Sequence, residues 1–170
     1  MSSALLILLA RAVHILGGVS WAGAVFTMTS VILPLAAQKG NEGFGQWVRV
    51  IARKVGPASG IAAFLTIVSG IYLMAVLHQG DRSIGGMVLI SGAVAALLSF
   101  VSGFFVGRPA GLKLAQLSEQ QGKSGAPSEE VARQVAALRA QAAAGARITA
   151  ALIGLAVLAM ATFRYAAAIG

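Results

Sequence analysis

An imidazole and a guanidinium stand close together inside the first long apolar stretch of the sequence. They belong to His14 and Arg11, and the stretch continues through Gly17 and Gly18 to Trp21. At the 3.6-residue period of a helix, positions 11, 14, 18 and 21 share one face. Ionisable side chains are costly in hydrocarbon and by default indicate a functional site. This face combines a cation, a side chain able to bind metal, a glycine notch and an indole.

These residue types match the needs of a b-type haem. Such a haem requires an axial imidazole, room beside the porphyrin, an apolar or aromatic wall and a cation for a propionate. His14 can supply the ligand and Arg11 the cation. Gly17 and Gly18 can supply the clearance, and Trp21 the wall. The competing interpretation is that His14 hydrogen-bonds a serine or a carbonyl of a neighbouring helix, while Trp21 packs in the core.

Histidine must carry any metal chemistry, because the sequence has no cysteine and only two histidines, His14 and His78. His78 ends the second apolar stretch, on the same side of the membrane as Arg11. A bis-histidine site formed by His14 and His78 is therefore one prediction. The other is that His78 is an interfacial loop histidine.

Copper is a further candidate, since thioethers suit Cu(I). Methionines at 28, 74, 87 and 160 are spread through the apolar stretches, but they form no close pair within any of them. Methionine is usually adaptable packing. All five carboxylates fall between the apolar stretches, so a carboxylate proton relay inside the membrane is excluded.

The composition indicates a membrane protein, because 58% of the residues are apolar and 11% are charged. Stretches long enough to cross a bilayer occupy residues 4–37, 56–77, 84–106 and 148–168. The sequence thus predicts an all-α protein, a four-transmembrane-helix bundle forming a single domain over 1–170. The net charge of +8 comes from residues that flank these stretches, which favours membrane orientation over nucleic-acid binding.

Lysine and arginine concentrate in the connections between the first and second spans and between the third and fourth. Basic connections stay on the cytoplasmic side. We therefore expect a multi-pass protein of the bacterial inner membrane with both termini and the loop around Asp81 in the periplasm.

Residues 109–147 predict a cytosolic helical hairpin between the third and fourth spans. The turn-forming cluster 121–127 separates its two helices, and Ser128 can cap the second, which carries Glu129 and Glu130 in its first turn. No strong breaker follows, so one continuous helix can run into the fourth span. The hairpin either packs on itself or docks a partner.

Small residues recur every four positions in the third span, at Ser99, Gly103 and Gly107. Such spacing lets two helix backbones approach closely in lipid. The contact is predicted either inside the bundle or across a homodimer or larger membrane complex.

The first helix resembles that of the copper-resistance-D-like group of small bacterial membrane proteins. The run HILGGVSWAG at 14–23, followed by an apolar run to Pro34, carries the likeness. This group is similar to uncharacterised integral membrane proteins of about this length and to HemJ-type protoporphyrinogen oxidases. The resemblance implies a four-helix inner-membrane protein that binds haem b or is associated with copper, with His14 at the position of the family histidine.

The leading functional hypothesis is haem b binding through His14 in electron transfer or haem-linked oxidation. The alternatives are a non-catalytic scaffold or accessory subunit of a membrane complex and, third, a copper-handling protein. The resemblance to HemJ-type enzymes implies basic residues within later helices, whereas the predicted spans hold no lysine. The sequence leaves open whether the protein is an enzyme.

Overall fold

The structure is a computed structural model that describes residues 3–38, 42–124 and 129–166. Helix accounts for 96% of these residues, and they contain no strand. In chain order the helices, with two π-helical turns, are α1 (Ser3–Thr27), π1 (Met28–Ile32), α2 (Leu33–Gln38), α3 (Glu42–Leu77), α4 (Ile84–Ser102), π2 (Gly103–Gly107), α5 (Arg108–Ser124) and α6 (Glu129–Ala166).

Four helical segments are long and apolar enough to cross a membrane. They cover Ser3–Ala36, Val50–Leu77, Ile84–Leu117 and Glu129–Ala166, which confirms the all-helical class and the four candidate spans. The helices extend beyond the apolar stretches because apolar composition indicates which residues can lie in lipid, not where a helix ends. Thus α3 begins at Glu42 and continues through Pro57, well before the apolar stretch that starts at residue 56.

The helices pack mainly as two antiparallel pairs, α1 with α3 and α4–α5 with α6. In the first pair His14 contacts Thr66. In the second, Ser99 contacts Thr149, and Gly145 faces Val106. Contacts between the two pairs are sparser.

Most large apolar side chains point outward, and the core is built from small residues around one indole. The buried cluster lies at Trp21, Ala22, Ala63, Ala95, Ala96, Ile153 and Ala156. Apolar side chains on the outside are expected where lipid, rather than water, is the solvent. Small residues in the centre allow the close backbone approach on which helix packing in lipid depends.

The small-residue face of the third span packs against α6 of the same chain. Ser99 is fully buried, and its Oγ donates to the carbonyl of Thr149 at 3.0 Å. Gly103 lies opposite the Thr149 side chain, and the backbone of Gly107 opposite Gly145. The structure thus contains the contact inside the chain, one of the two alternatives that the sequence predicts.

The two long helices α5 and α6 continue side by side beyond the apolar stretches. A groove between them is lined by Lys113, Gln116, Leu117, Gln134, Ala137 and Leu138. Residues 121–124, part of the turn expected at 121–127, are helical instead and form the end of α5. Residues 125–128, with the predicted cap Ser128, lie outside the described residues. From Glu129 onward α6 is one unbroken helix, as the lack of strong breakers predicts.

We predict that Gly92→Ala lowers the thermal stability of the protein in detergent. A Cβ at Gly92 would lie 2.8 Å from Ala159 Cβ and 3.3 Å from the Ala156 carbonyl oxygen. Overpacking of this kind costs about 1–3 kcal/mol. Gly23→Ala is the matched control, since a Cβ there meets nothing within 4 Å. Equal unfolding temperatures for the two variants would contradict the close α4–α6 contact.

Candidate functional site

His14 links α1 to α3 by a hydrogen bond to the backbone. Its Nδ1 lies 2.8 Å from the carbonyl oxygen of Thr66. A carbonyl oxygen only accepts, so Nδ1 must carry the hydrogen and donate it. In the neutral ring, Nε2 then keeps its lone pair. The described residues offer Nε2 no hydrogen bond.

Two hydroxyl side chains of α3 frame this carbonyl. Ser69 Oγ donates to the carbonyl of Leu65 at 2.6 Å and reaches that of Thr66 at 3.2 Å. Thr66 Oγ1 donates to the carbonyl of Ala62 at 2.7 Å. These bonds back to the preceding turn satisfy hydroxyls that lie in an apolar helix. The Thr66 carbonyl therefore accepts from both His14 and Ser69.

Two glycines bring α1 and α3 close enough for this bond. A Cβ at Gly70 would lie 2.8 Å from Cε1 of His14, and one at Gly17 would lie 2.6 Å from Thr66 Oγ1. Gly18 also faces Thr66, whose Cγ2 would be 3.6 Å from a Cβ there. The clearance expected of Gly17 and Gly18 beside a porphyrin is thus filled by α3.

Trp21 packs in the core rather than beside His14 as a wall. It is 5% exposed and belongs to the buried cluster with Ala63 and Ile153. Arg11, in contrast, is exposed, while His14 is half-buried. The predicted face is therefore divided along α1. Gly17, Gly18 and Trp21 pack against other helices, whereas His14 and Arg11 keep part of their surface exposed.

His78 directly follows α3 and is not brought to His14. The His14 ring packs at Gly70, eight residues before His78 and so about 12 Å away along the helix at about 1.5 Å per residue. Two imidazoles on one metal ion would have their nitrogens about 4 Å apart, at about 2 Å per bond. Instead, the His78 ring meets Phe163 edge to face at 5.7 Å.

The chain therefore offers at most one histidine ligand to a metal centre at His14. Within the described ranges, no group of three or more His, Cys, Asp or Glu residues is placed to hold a metal ion. A haem, whose porphyrin supplies the other bonds, requires only one axial imidazole from this helix.

Sequence reasoning did not identify Thr66, Ser69 and Gly70 as the partners of His14. The signal was present as a small and polar stripe in the second apolar stretch, at positions 62, 66, 69 and 70. Small residues and hydroxyls at this spacing are typical of helix contacts in lipid. What the sequence lacked was the register that sets this stripe against His14.

The loop between α3 and α4 is ordered by a second polar network. Asp81 Oδ1 accepts from the backbone N–H of Ser83 at 3.0 Å, and Ser83 Oγ accepts from the N–H of Gly86, which caps α4. Gly80 adopts a left-handed conformation with φ of 75°, which glycine reaches without strain. His78 Nδ1 lies 3.7 Å from Asp81 Oδ2. This arrangement favours the interfacial loop interpretation of His78.

We predict that Asp81 titrates below its ordinary pKa of about 3.9. Hydrogen bonds from Ser83, and then His78, lower the pKa of Asp81. Because this pKa is lower in the folded protein than in the unfolded chain, the carboxylate stabilises the loop above the unfolded value. That contribution is lost as the pH falls through the lowered pKa.

Carboxyl ¹³C NMR of aspartate-labelled protein measures this pKa directly, since Asp81 is the only aspartate in the sequence. Ser83→Ala should raise the titration midpoint toward the ordinary value. Ser91→Ala is the control, because Ser91 bonds only within α4, to Val88. An unchanged midpoint in Ser83→Ala would show that the Ser83 hydroxyl does not lower the pKa of Asp81.

Comparisons with known proteins leave the function to be argued from this geometry. No family model, no curated protein and no solved structure matches the chain. The likeness of its first helix to copper-resistance-D-like and HemJ-like proteins stays a prediction based on residues 14–23.

Proposed function

We propose that the protein binds b-type haem through Nε2 of His14 and serves electron transfer or haem-linked oxidation in a bacterial inner membrane. The observation that carries the proposal is the hydrogen bond from His14 Nδ1 to the Thr66 carbonyl. Histidine ligands commonly donate their other ring N–H to a carbonyl or carboxylate, which fixes the tautomer and orients the ring.

Each residue of the proposed site has a distinct task. His14 supplies the axial ligand, and the Thr66 carbonyl orients it and raises the basicity of Nε2. Arg11, exposed and one helical turn away, is the candidate partner for a propionate. When bound, haem supplies one-electron chemistry. Gly17, Gly18 and Trp21 contribute indirectly, because they set α1 against α3.

The proposed architecture is a four-helix bundle in which α5 and the first half of α6 form a cytosolic hairpin. The described cations of this hairpin, such as Lys113, Arg133 and Arg139, are exposed, as expected for a cytoplasmic connection. The single domain spans residues 1–170, with both termini in the periplasm.

The second candidate function is that of an accessory subunit of a membrane complex. The same hydrogen bond favours it, because the bond can serve helix packing alone. The bond links α1 to α3, as polar side chains do between membrane helices. The α5–α6 groove then offers a surface to a partner. Copper handling is the third candidate; Met160, one of its proposed thioethers, packs near Gly92.

Visible absorption of the purified protein tests these functions. The wild-type protein should show a Soret band, and His14→Asn should abolish it while staying folded, because the asparagine amide can still donate to the Thr66 carbonyl but cannot replace Nε2. His14→Ala should lose both the band and about 1 kcal/mol of stability with the hydrogen bond. His78→Ala, the matched histidine control, should keep the band.

The alternative results separate the candidates. A folded, colourless wild-type protein supports the accessory subunit, and stoichiometric copper retention supports copper handling. A Soret band that persists in His14→Asn, or disappears in His78→Ala, would contradict the assignment of the ligand.

Membrane orientation gives an independent prediction. A reporter fused after Gly170 should be active in the periplasm, and one inserted between Gly125 and Ala126 should be active in the cytoplasm. The reason is the concentration of lysine and arginine in residues 108–147, between the third and fourth apolar stretches. The reverse pattern would place the hairpin outside the cell.

A further inference from the structure

Four cations on three helices lie at one level of the molecule. They are Arg53 and Lys54 of α3, Arg108 of α5 and Arg147 of α6, and all four are exposed. We call this set the basic belt.

Contacts between the helices set this common level. Thr29 of π1 donates to the carbonyl of Ala146 at 3.5 Å, which places π1 beside Arg147. The Gly107 nitrogen lies 3.9 Å from the Cβ position of Gly145. The next residue, Arg108 of α5, therefore lies level with the turn of α6 that carries Gly145 and Arg147.

The register of α1 against α3 places Arg53 and Lys54 at the same level. Gly17 lies opposite Thr66 and Ala62, so the antiparallel pairing sets residues 53 and 54 opposite about residue 28 in π1. All four residues of the basic belt therefore lie beside the two π-helical turns.

The belt marks one boundary of the apolar slab. From Lys54 to Leu77 at the end of α3, the helix rises about 35 Å, and from Ile84 to Arg108 about 36 Å, at about 1.5 Å per residue. The hydrocarbon core of a bilayer is about 30 Å thick. The belt thus lies at headgroup height when the loop around Asp81 lies at the opposite surface.

Among the described residues, none of the four cations of the basic belt forms an ion pair with a carboxylate. Along the chain, Glu42 and Glu119 stand eleven residues from Arg53 and Arg108, which is about 16 Å on a helix. The Arg108 guanidinium lies over the Phe104 ring, 5.3 Å from its centroid, which holds it against the helix surface.

We propose that the basic belt binds the phosphate headgroups of anionic phospholipids in the adjoining leaflet. Exposed cations at headgroup height attract anionic lipid, and arginine pairs with phosphate through two N–H groups. Several helices contribute, so the lipids bound there also bridge the α1–α3 pair and the α4–α6 pair, whose direct contacts are sparse. This inference requires that the helices cross a membrane but does not require haem at His14.

Native mass spectrometry of the purified full chain in detergent, titrated with phosphatidylglycerol or phosphatidylcholine, tests the proposal. The wild-type protein should retain phosphatidylglycerol in preference to phosphatidylcholine. Arg108→Gln/Arg147→Gln should weaken phosphatidylglycerol binding roughly 30-fold, at about fivefold for each basic residue near an anionic headgroup. The matched control is Arg133→Gln/Arg139→Gln, which removes the same charge from the projecting part of α6.

The control variant should bind like the wild type, and millimolar inorganic phosphate should not displace the lipid. If the two double variants lost phosphatidylglycerol binding equally, the lipid would be attracted by the overall charge of the protein, and the proposal would be wrong. Equal retention of both lipids by the wild type would overturn it as well. Circular dichroism verifies that each variant is helical, and the unfolding temperature with and without phosphatidylglycerol gives a second readout of binding by folded protein.

Discussion

The fold depends on the rule that a polar group in lipid must find its partner inside the protein, because hydrocarbon offers none. His14 satisfies this rule at Nδ1 by donating to the Thr66 carbonyl. Ser99 does so in the other helix pair by donating to the carbonyl of Thr149. Each bond requires two backbones to approach closely, and glycines at 17, 70 and 92 permit that approach. Packing and polar satisfaction are therefore one constraint in this molecule.

The same constraint fixes the tautomer of His14, on which the proposed haem ligation depends. Since a carbonyl accepts the Nδ1 hydrogen, the ring is held in the tautomer that exposes a lone pair at Nε2. One histidine can thus tie α1 to α3 and still present a ligand atom. Gly17 and Trp21 share the face but serve only the contact with α3 and the core.

The sequence was sufficient for the four apolar spans, the unbroken α6 and the small-residue face at Ser99, because each follows from composition and period along a single helix. It was not sufficient for the environment of His14. Which residues meet Gly17 or Trp21 depends on the register between α1 and α3, and no pattern within one helix encodes that register. For the same reason, the sequence left a His14–His78 pair open, whereas the register sets His14 at Gly70, about 12 Å along α3 from His78. The π-helical turns were missed because a π turn keeps the chain helical and leaves no breaker residue at Met28–Ile32.

The unbroken helical run from Ile84 to Ser124, through π2, has a geometric consequence. This run and α6 are each about 60 Å long, at about 1.5 Å per residue. A hydrocarbon core is only about 30 Å thick. Upright helices of this length cannot fit within it, so the paired helices must continue together well beyond the lipid.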